Sequence, residues 1–361
     1  MLEKAMSSRW TPWIAGIVLV AFFALLPLIP VNIPGIFPGP STNPGTLNML
    51  ALCLIYASLA LSYHLIFGTA GLLSFGHALY FAIGAYGLGI LLQQTELGLL
   101  PSIGIALAGG IIIAAVVGAI SLRVTGISFA MVTLAFAQAG NVLVRRNAQY
   151  TGGEEGLRLN IEHVPNYLVG VMNTKNLYWI ALALLVLVFL IVTWFERSRA
   201  GHVVAATREN ELRVRVIGIR PFTVKHLTFV IGASIAAAVG MLYLLLQSNA
   251  APRITSADFT LTILVIVVLG GVGSRWGAVV GGIVYTILDQ RLTWLAGSEF
   301  IEALPPVLRI PLSEPLFILG TLFILVVLFL PGGLAGIARK LTERTTRRRD
   351  ESARLEEIDA S

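Results

Sequence analysis

Apolar runs of about 20 residues, separated by short polar or Gly/Pro-rich breaks, recur along most of this chain, and a run of that length is enough to carry a helix across a bilayer's hydrocarbon core. The pattern predicts about ten such helices, at 13–30, 46–67, 71–92, 100–121, 126–144, 177–195, 226–247, 258–273, 275–293 and 315–331. Pro27 and Pro30 end the first. The Pro/Gly-rich stretch 34–45, the longer stretch 145–176 and residues 295–314, with Pro305, Pro306 and Pro311, then form three external loops. The expected fold class is an all-α polytopic transmembrane helix bundle.

One polar interruption differs from the rest. Residues 200–225 form a basic island between the apolar runs 178–195 and 226–246. Glu209 and Arg213 lie four apart, as do Glu211 and Arg215, a spacing that supports a helix. Val203, Thr207, Asn210, Val214 and Ile217 recur at spacings of three and four, a mild apolar stripe. The expected element is a short amphipathic helix that serves as a docking surface. The bundle carries no engine of its own: no Gly-Lys pair exists in the chain, so the phosphate-binding Gly-x-x-x-x-Gly-Lys-Ser/Thr loop is absent.

Composition agrees with a membrane protein. Of 361 residues, 56% are hydrophobic and 12% charged, against roughly 25% charged in a soluble domain. The net charge of +6 does not point to nucleic acid, because the basic residues cluster in segments on one side of the bundle. With ten spans and both termini cytoplasmic, 18 of the 25 Lys and Arg fall inside, as the positive-inside bias expects. Lys4 and Arg9 ahead of an apolar run resemble a signal peptide, but no small-x-small cleavage site follows, so the first span is read as uncleaved. The expected division is a cytoplasmic N-terminus 1–12, a transmembrane domain 13–340 with a cytoplasmic docking loop 196–225, and a polar cytoplasmic tail 341–361. The lone Cys53 excludes a disulfide within the chain.

Two Gly-rich turns join expected spans on the inner side. In Gly68-Thr-Ala-Gly-Leu-Leu-Ser-Phe-Gly-His77, Ser74 is placed to cap the next helix. His77 either faces a solute path at a broken helix or is a packed, hydrogen-bonded core residue. In Leu269-Gly-Gly-Val-Gly-Ser-Arg-Trp-Gly277, the spacing of Gly273, Gly277 and Gly281 reads as helix packing, as does Gly110, Ala114 and Gly118. Thr133, Gln138 and Asn141 interrupt an apolar helix and either bond a solute in transit or bond neighbouring helices. Acids near membrane depth are scarce, Asp258 and Asp289 standing at span edges, which argues against an ion-coupled carrier. His64 and His77 lack metal-helix spacing, and no metal site or catalytic constellation is expected.

Four segments together resemble the LivM family, the permease subunits of ABC importers for branched-chain amino acids. They are Gly71-Leu-Leu-Ser-Phe-Gly-His-Ala-Leu-Tyr-Phe-Ala-Ile-Gly-Ala-Tyr86, Gly126-Ile-Ser-Phe-Ala-Met-Val-Thr-Leu-Ala-Phe-Ala-Gln138, Thr151-Gly-Gly-Glu-Glu-Gly-Leu157, and Gly201-His-Val-Val-Ala-Ala-Thr-Arg-Glu-Asn-Glu211 with Val216-Ile-Gly-Ile219. The resemblance covers residues 48–337. Ser62-Tyr-His64 departs from the Leu-Asn-Leu-like residues expected there.

The resemblance implies a non-enzymatic subunit of the cell membrane. Two cytoplasmic ATPases would bind the ATP, a homologous second permease would complete the pathway, and an extracytoplasmic binding protein would deliver the solute. It implies that Ala205, Ala206, Arg208, Glu209, Asn210, Glu211 and Gly218 dock the ATPase. Ser74, His77, Thr133, Gln138 and Asn141 are the candidate path residues. Urea or short-amide import and ion-coupled amino-acid transport are the rival functions.

Overall fold

The computed structural model describes residues 11–33, 35, 37–170, 173–296, 314–329 and 332–336. Most of the expected N-terminal segment 1–12, nearly all of the third loop 295–314, and the tail 341–361 lie outside the described residues. The helices are α1 (Thr11–Leu25), α2 (Pro44–Tyr63), α3 (His77–Gln94), α4 (Leu99–Ser121), α5 (Ile127–Arg146), α6 (Thr174–Arg197), α7 (Arg199–Glu209), α8 (Glu211–Val216), α9 (Pro221–Gln247), α10 (Ala257–Gly270), α11 (Arg275–Ala296) and α12 (Pro315–Phe329). A π-helical turn, His64–Thr69, continues α2.

Five of these are long and apolar enough to cross a membrane: α2 with its π turn, α4, α5, α6 and α9. The pair α10 and α11 bends through 119° at its break and adds a sixth if counted as one span. The expected ten spans require α1, α3, α10, α11 and α12 each to cross as well. The third expected span begins late: residues 70–76 are not helical, and the helix starts at His77. Leu72, Leu73 and Phe75 keep that stretch apolar without making it helical. The stretch 145–176 is more than a loop. Its β1 (Leu157–Arg158) pairs antiparallel with β2 (Asn249–Ala250), Leu157 opposite Ala250. Gly152 and Gly156, both with left-handed φ (72° and 80°), wrap the intervening turn against β2.

Helices α3 and α9 form the centre of the bundle, with α4 packed on both. They cross where Gly84 faces the Ala237 carbonyl and Gly240 faces the Phe81 carbonyl, an approach that leaves no room for a side chain. Small residues serve lipid-embedded helices this way because dispersion between closely packed backbones replaces the hydrophobic effect as the source of association. Helix α2 packs on α11, where Gly282 lies on the Ala57 backbone, and on α6. The expected packing stripes hold: Gly277 and Gly281 press on α10, while Gly110 and Gly118 meet Ala237 and Phe229 of α9. Gly273 sits in the turn instead, with φ of 90° and nothing nearby.

Gly84→Ala should therefore cost about 1–3 kcal/mol of stability through overpacking. Gly104→Ala on α4, where an added methyl meets nothing within 4 Å, should cost none of it. Thermal unfolding of the two variants in detergent checks the contrast.

Candidate functional site

Two groups of polar side chains define the site: one buried at the start of α3, the other on the two-helix elbow formed by α7 and α8. The first exists because backbone at bundle depth must find hydrogen-bond partners inside the protein when it leaves helical geometry. The Leu72 N–H donates to the Ile66 carbonyl at 3.0 Å. Phe75 N–H donates to Thr133 Oγ1 of α5 at 3.1 Å, and Ala78 N–H to Thr260 Oγ1 of α10 at 3.1 Å. The Tyr63 hydroxyl donates to the Ser74 carbonyl at 3.0 Å. Ser74 is not the cap expected from sequence: its Oγ accepts from Gly76 N–H at 3.3 Å, and Gly76 occupies the cap position. Hydroxyls from two other helices serve α3 instead.

His77 is fully buried, with Tyr63 and Tyr80 edge-on at 5.1 and 6.3 Å between ring centroids. The Ser62 hydroxyl donates to the Leu59 carbonyl at 2.7 Å, so its oxygen accepts from His77 Nε2 at 2.8 Å. That assigns the Nε2–H tautomer and leaves Nδ1 as a bare lone pair, buried and without a partner among the described residues. In this conformation His77 is packed and hydrogen-bonded.

Thr133 and Asn141 share the buried face of α5. Asn141 Nδ2 donates to Thr255 Oγ1 at 2.5 Å, and its Oδ1 accepts from Arg145 Nε at 3.1 Å. Arg145 in turn grips both Glu154 oxygens, at 2.6 and 2.8 Å, which fastens the 151–157 turn to α5. These polar groups bond neighbouring elements. Gln138 does not join them; it is exposed and lines a shallow groove of about 450 Å³ with Val142 and Leu143. Ser74, His77 and Thr133 thus come together, Asn141 stands two turns further along α5, and Gln138 faces away.

The elbow departs from the single helix expected. It breaks at Asn210, whose backbone is extended (φ −156°, ψ 100°) and whose Oδ1 accepts from Arg213 N–H at 3.0 Å, starting α8. The break shifts the buried stripe to Gly201, Val204, Thr207 and Val214, and leaves Asn210 and Ile217 outside. Glu211 pairs with Arg215 at 2.5 Å and with Lys225 of α9 at 2.6 Å. Glu209 and Arg213 straddle the break and form no ion pair. Ala205, Ala206 and Glu209 are exposed, and Gly218, with φ of 84°, turns the chain toward α9. Leu212, Val216 and Ile217 stand 71, 79 and 70% exposed, an apolar ridge of which the expected stripe included only Ile217.

Arg208, though exposed overall, reaches the bundle: its guanidinium donates to the Gly68 carbonyl and its stem covers Gly71. A second tie lies beside it. Glu196, in the last turn of α6, accepts from Thr69 Oγ1 at 2.8 Å and meets His64 Nε2 at 3.0 Å, while Arg275 Nε reaches its other oxygen at 3.1 Å. One carboxylate therefore joins the π turn, α6 and the α10–α11 break. Glu196, Arg275, Thr255 and Thr260 were not candidates from sequence. Their only signal there is a polar residue at the edge of an apolar run.

A bundle of apolar helices, a buried non-helical segment and a charged elbow tied to it define a multi-pass membrane protein of the permease class. Residues 45–330 match the family model of the branched-chain amino acid transport system permease component, and the chain belongs to that family. The high-affinity branched-chain amino acid transport system permease protein LivM of Escherichia coli is 28% identical over 321 residues, which cover 82% of this chain and 71% of the relative. The corresponding LivH protein of Escherichia coli is 24% identical over 310 residues, 80% of this chain and 94% of the relative. BraD of Pseudomonas aeruginosa, of the same description, is 24% identical over 307 residues, with the same shares. No solved structure matches the chain.

Two outcomes follow from this geometry. Thr133→Val strands the Phe75 N–H and should cost about 1–3 kcal/mol, whereas Thr293→Val, at an exposed hydroxyl, should be near neutral in the same thermal unfolding assay. Outside the membrane, the Lys225 ammonium, opposed by partial burial and helped by Arg215, holds the Glu211 carboxyl below its ordinary 4.5. Its contribution is present above pH 4.5 and disappears as pH falls through the lower folded value. Wild type should exceed Glu211→Gln by up to about 1 kcal/mol at neutral pH, the difference closing on acidification below pH 4.5; a constant difference across that range would count against the pairing.

Proposed function

We propose that this chain is the membrane-spanning permease subunit of an ATP-driven importer that moves branched-chain amino acids inward. Two cytoplasmic ATPases, a homologous second permease and an extracytoplasmic solute-binding protein complete the assembly. The observation that carries the reading is the elbow's two-sidedness. One face presents Leu212, Val216 and Ile217 to solvent, and the other holds Arg208 against Gly68. Apolar side chains so exposed on a charged surface suit a protein partner. In the assembled importer the ridge seats in an ATPase while Ala205, Ala206, Glu209 and Asn210 line its rim. Ten spans with both termini cytoplasmic put the elbow on the ATPase's side, in accord with the positive-inside bias.

Nucleotide-driven movement of the elbow then reaches the bundle through Arg208 and through the Glu196 junction. It arrives at the 70–76 segment, where the Phe75 amide holds α5, and at the first turn of α3, where the Ala78 amide holds α10. A shift there changes how α3, α5 and α10 meet and so tilts the pathway between outward- and inward-open states. A zwitterion with an apolar side chain needs mostly greasy walls and a few hydrogen-bonding groups. His77 Nδ1, buried and without a partner among the described residues, is the group we assign to that role in the open pathway. Urea or amide import gains no support from the relatives, whose names specify branched-chain amino acids. An ion-coupled carrier would need buried acids, and no Asp or Glu is fully buried among the described residues.

Leu212→Asp with Ile217→Asp should reduce ATP-dependent leucine uptake by the reconstituted importer at least tenfold and uncouple its stimulated ATP hydrolysis, with the chain still folded in detergent. Unchanged stimulation would remove the docking assignment. Uptake that persists without any ATPase and collapses with an ion gradient would favour the carrier instead.

A further inference from the structure

A cavity of about 760 Å³ opens beside the elbow, between the α4–α5 connection and the first turn of α9. Five cations line it, Arg123, Arg208, Arg215, Arg220 and Lys225, against one carboxylate, Glu211. Glu211 is shared by Arg215 and Lys225, and Arg208 is spent on the Gly68 carbonyl. Arg123, in the α4–α5 connection, and Arg220, just before α9, have no ion-pair partner among the described residues. The docking ridge of Leu212, Val216 and Ile217 does not line this cavity.

Two facts identify the ligand's chemistry. Convergent Arg side chains from separate elements suit a phosphate, whose oxygens accept several charge-assisted hydrogen bonds. Exposed apolar residues belong to the cavity: Val124 and Phe222 line it at 37 and 46% exposure, and Ile120 and Ile127, three residues to either side of Arg123 and Val124 in sequence, are 47 and 77% exposed. A soluble phosphate has no use for such apolar surface, whereas a lipid lays its acyl chains there. We propose that this cavity binds the phosphate of an anionic phospholipid from the cytoplasmic leaflet, with Arg123 and Arg220 as its main ligands. Basic pockets between membrane helices on the cytoplasmic side commonly recognise anionic headgroups. Occupied, the site would link the α4–α5 connection to the elbow and make the elbow's mobility depend on lipid charge. The inference rests on the cytoplasmic side assigned to the elbow and not on the transported solute.

The test is retention of radiolabelled phosphatidylglycerol against phosphatidylcholine by the assembled importer in mild detergent. Phosphatidylglycerol should be preferred, less so at high salt. Arg123→Gln and Arg220→Gln should each lower its retention about fivefold, whereas Arg146→Gln, away from the cavity, should not. Thermal unfolding of each variant verifies that it is folded. Equal retention of the two lipids, or indifference to both variants, overturns the site. Displacement by inorganic phosphate reassigns the cavity to a soluble anion, and retention by the permease chains that vanishes on adding the ATPases reassigns it to ATPase docking; either result refutes the lipid proposal. Absence of any lipid preference in a wild-type importer that still takes up leucine refutes the site while leaving the transport reading in place.

Discussion

The structure depends on how a short piece of non-helical backbone is kept inside a bundle of membrane helices. Residues 70–76 cannot satisfy their own amides as a helix would, and lipid offers no partners. Thr133 of α5 supplies an acceptor for Phe75, Tyr63 of α2 supplies a donor to the Ser74 carbonyl, and Thr260 of α10 supplies an acceptor for Ala78 in the first turn of α3. Each bond is modest alone, but the cost of leaving a buried amide unpaired makes the set collectively binding on the three helices. The Gly84–Gly240 crossing then places α3 against α9, so the start of α3 is held from several sides.

The same segment is where the elbow is attached. Arg208 reaches the Gly68 carbonyl from α7, and Glu196 holds His64 and Thr69 in the π turn immediately before it. π-helical turns interrupt the regular ladder of a helix and are frequent at functional sites. Here the turn lies between the long apolar body of α2 and the buried segment, with a charged clasp on its outer side. In the proposed importer this makes the elbow a lever and the 70–76 segment its load. The unpaired Nδ1 of His77 lies one residue beyond that load.

Much of this was legible in the sequence, and the misses have physical causes. Apolar periodicity located the helices of the bundle to within a few residues, because burial in lipid demands long uninterrupted runs. It put the start of the third span too early because Leu72, Leu73 and Phe75 are apolar whether or not they are helical. The elbow's ion-pair spacing suggested one helix, while Asn210, a strong capping residue, marked the break where α8 begins. Arg208 was singled out as a docking residue, but its bond to a carbonyl 140 residues away could not be read from the sequence. Thr260, Thr255 and Glu196 were not legible at all. A hydroxyl or carboxylate at the edge of an apolar run looks the same whether it caps another helix or faces water, and the partners here are 182, 114 and 132 residues distant.

Hydrogen–deuterium exchange of the assembled importer, nucleotide-free and with ATP trapped, tests most directly whether elbow and buried segment move together. The account predicts that amide protection in 199–216 and in 70–78 changes in the same step, and that Arg208→Ala with Glu196→Gln removes the change in 70–78 while leaving that of the elbow. A nucleotide-dependent change confined to the elbow in the wild-type importer would contradict it.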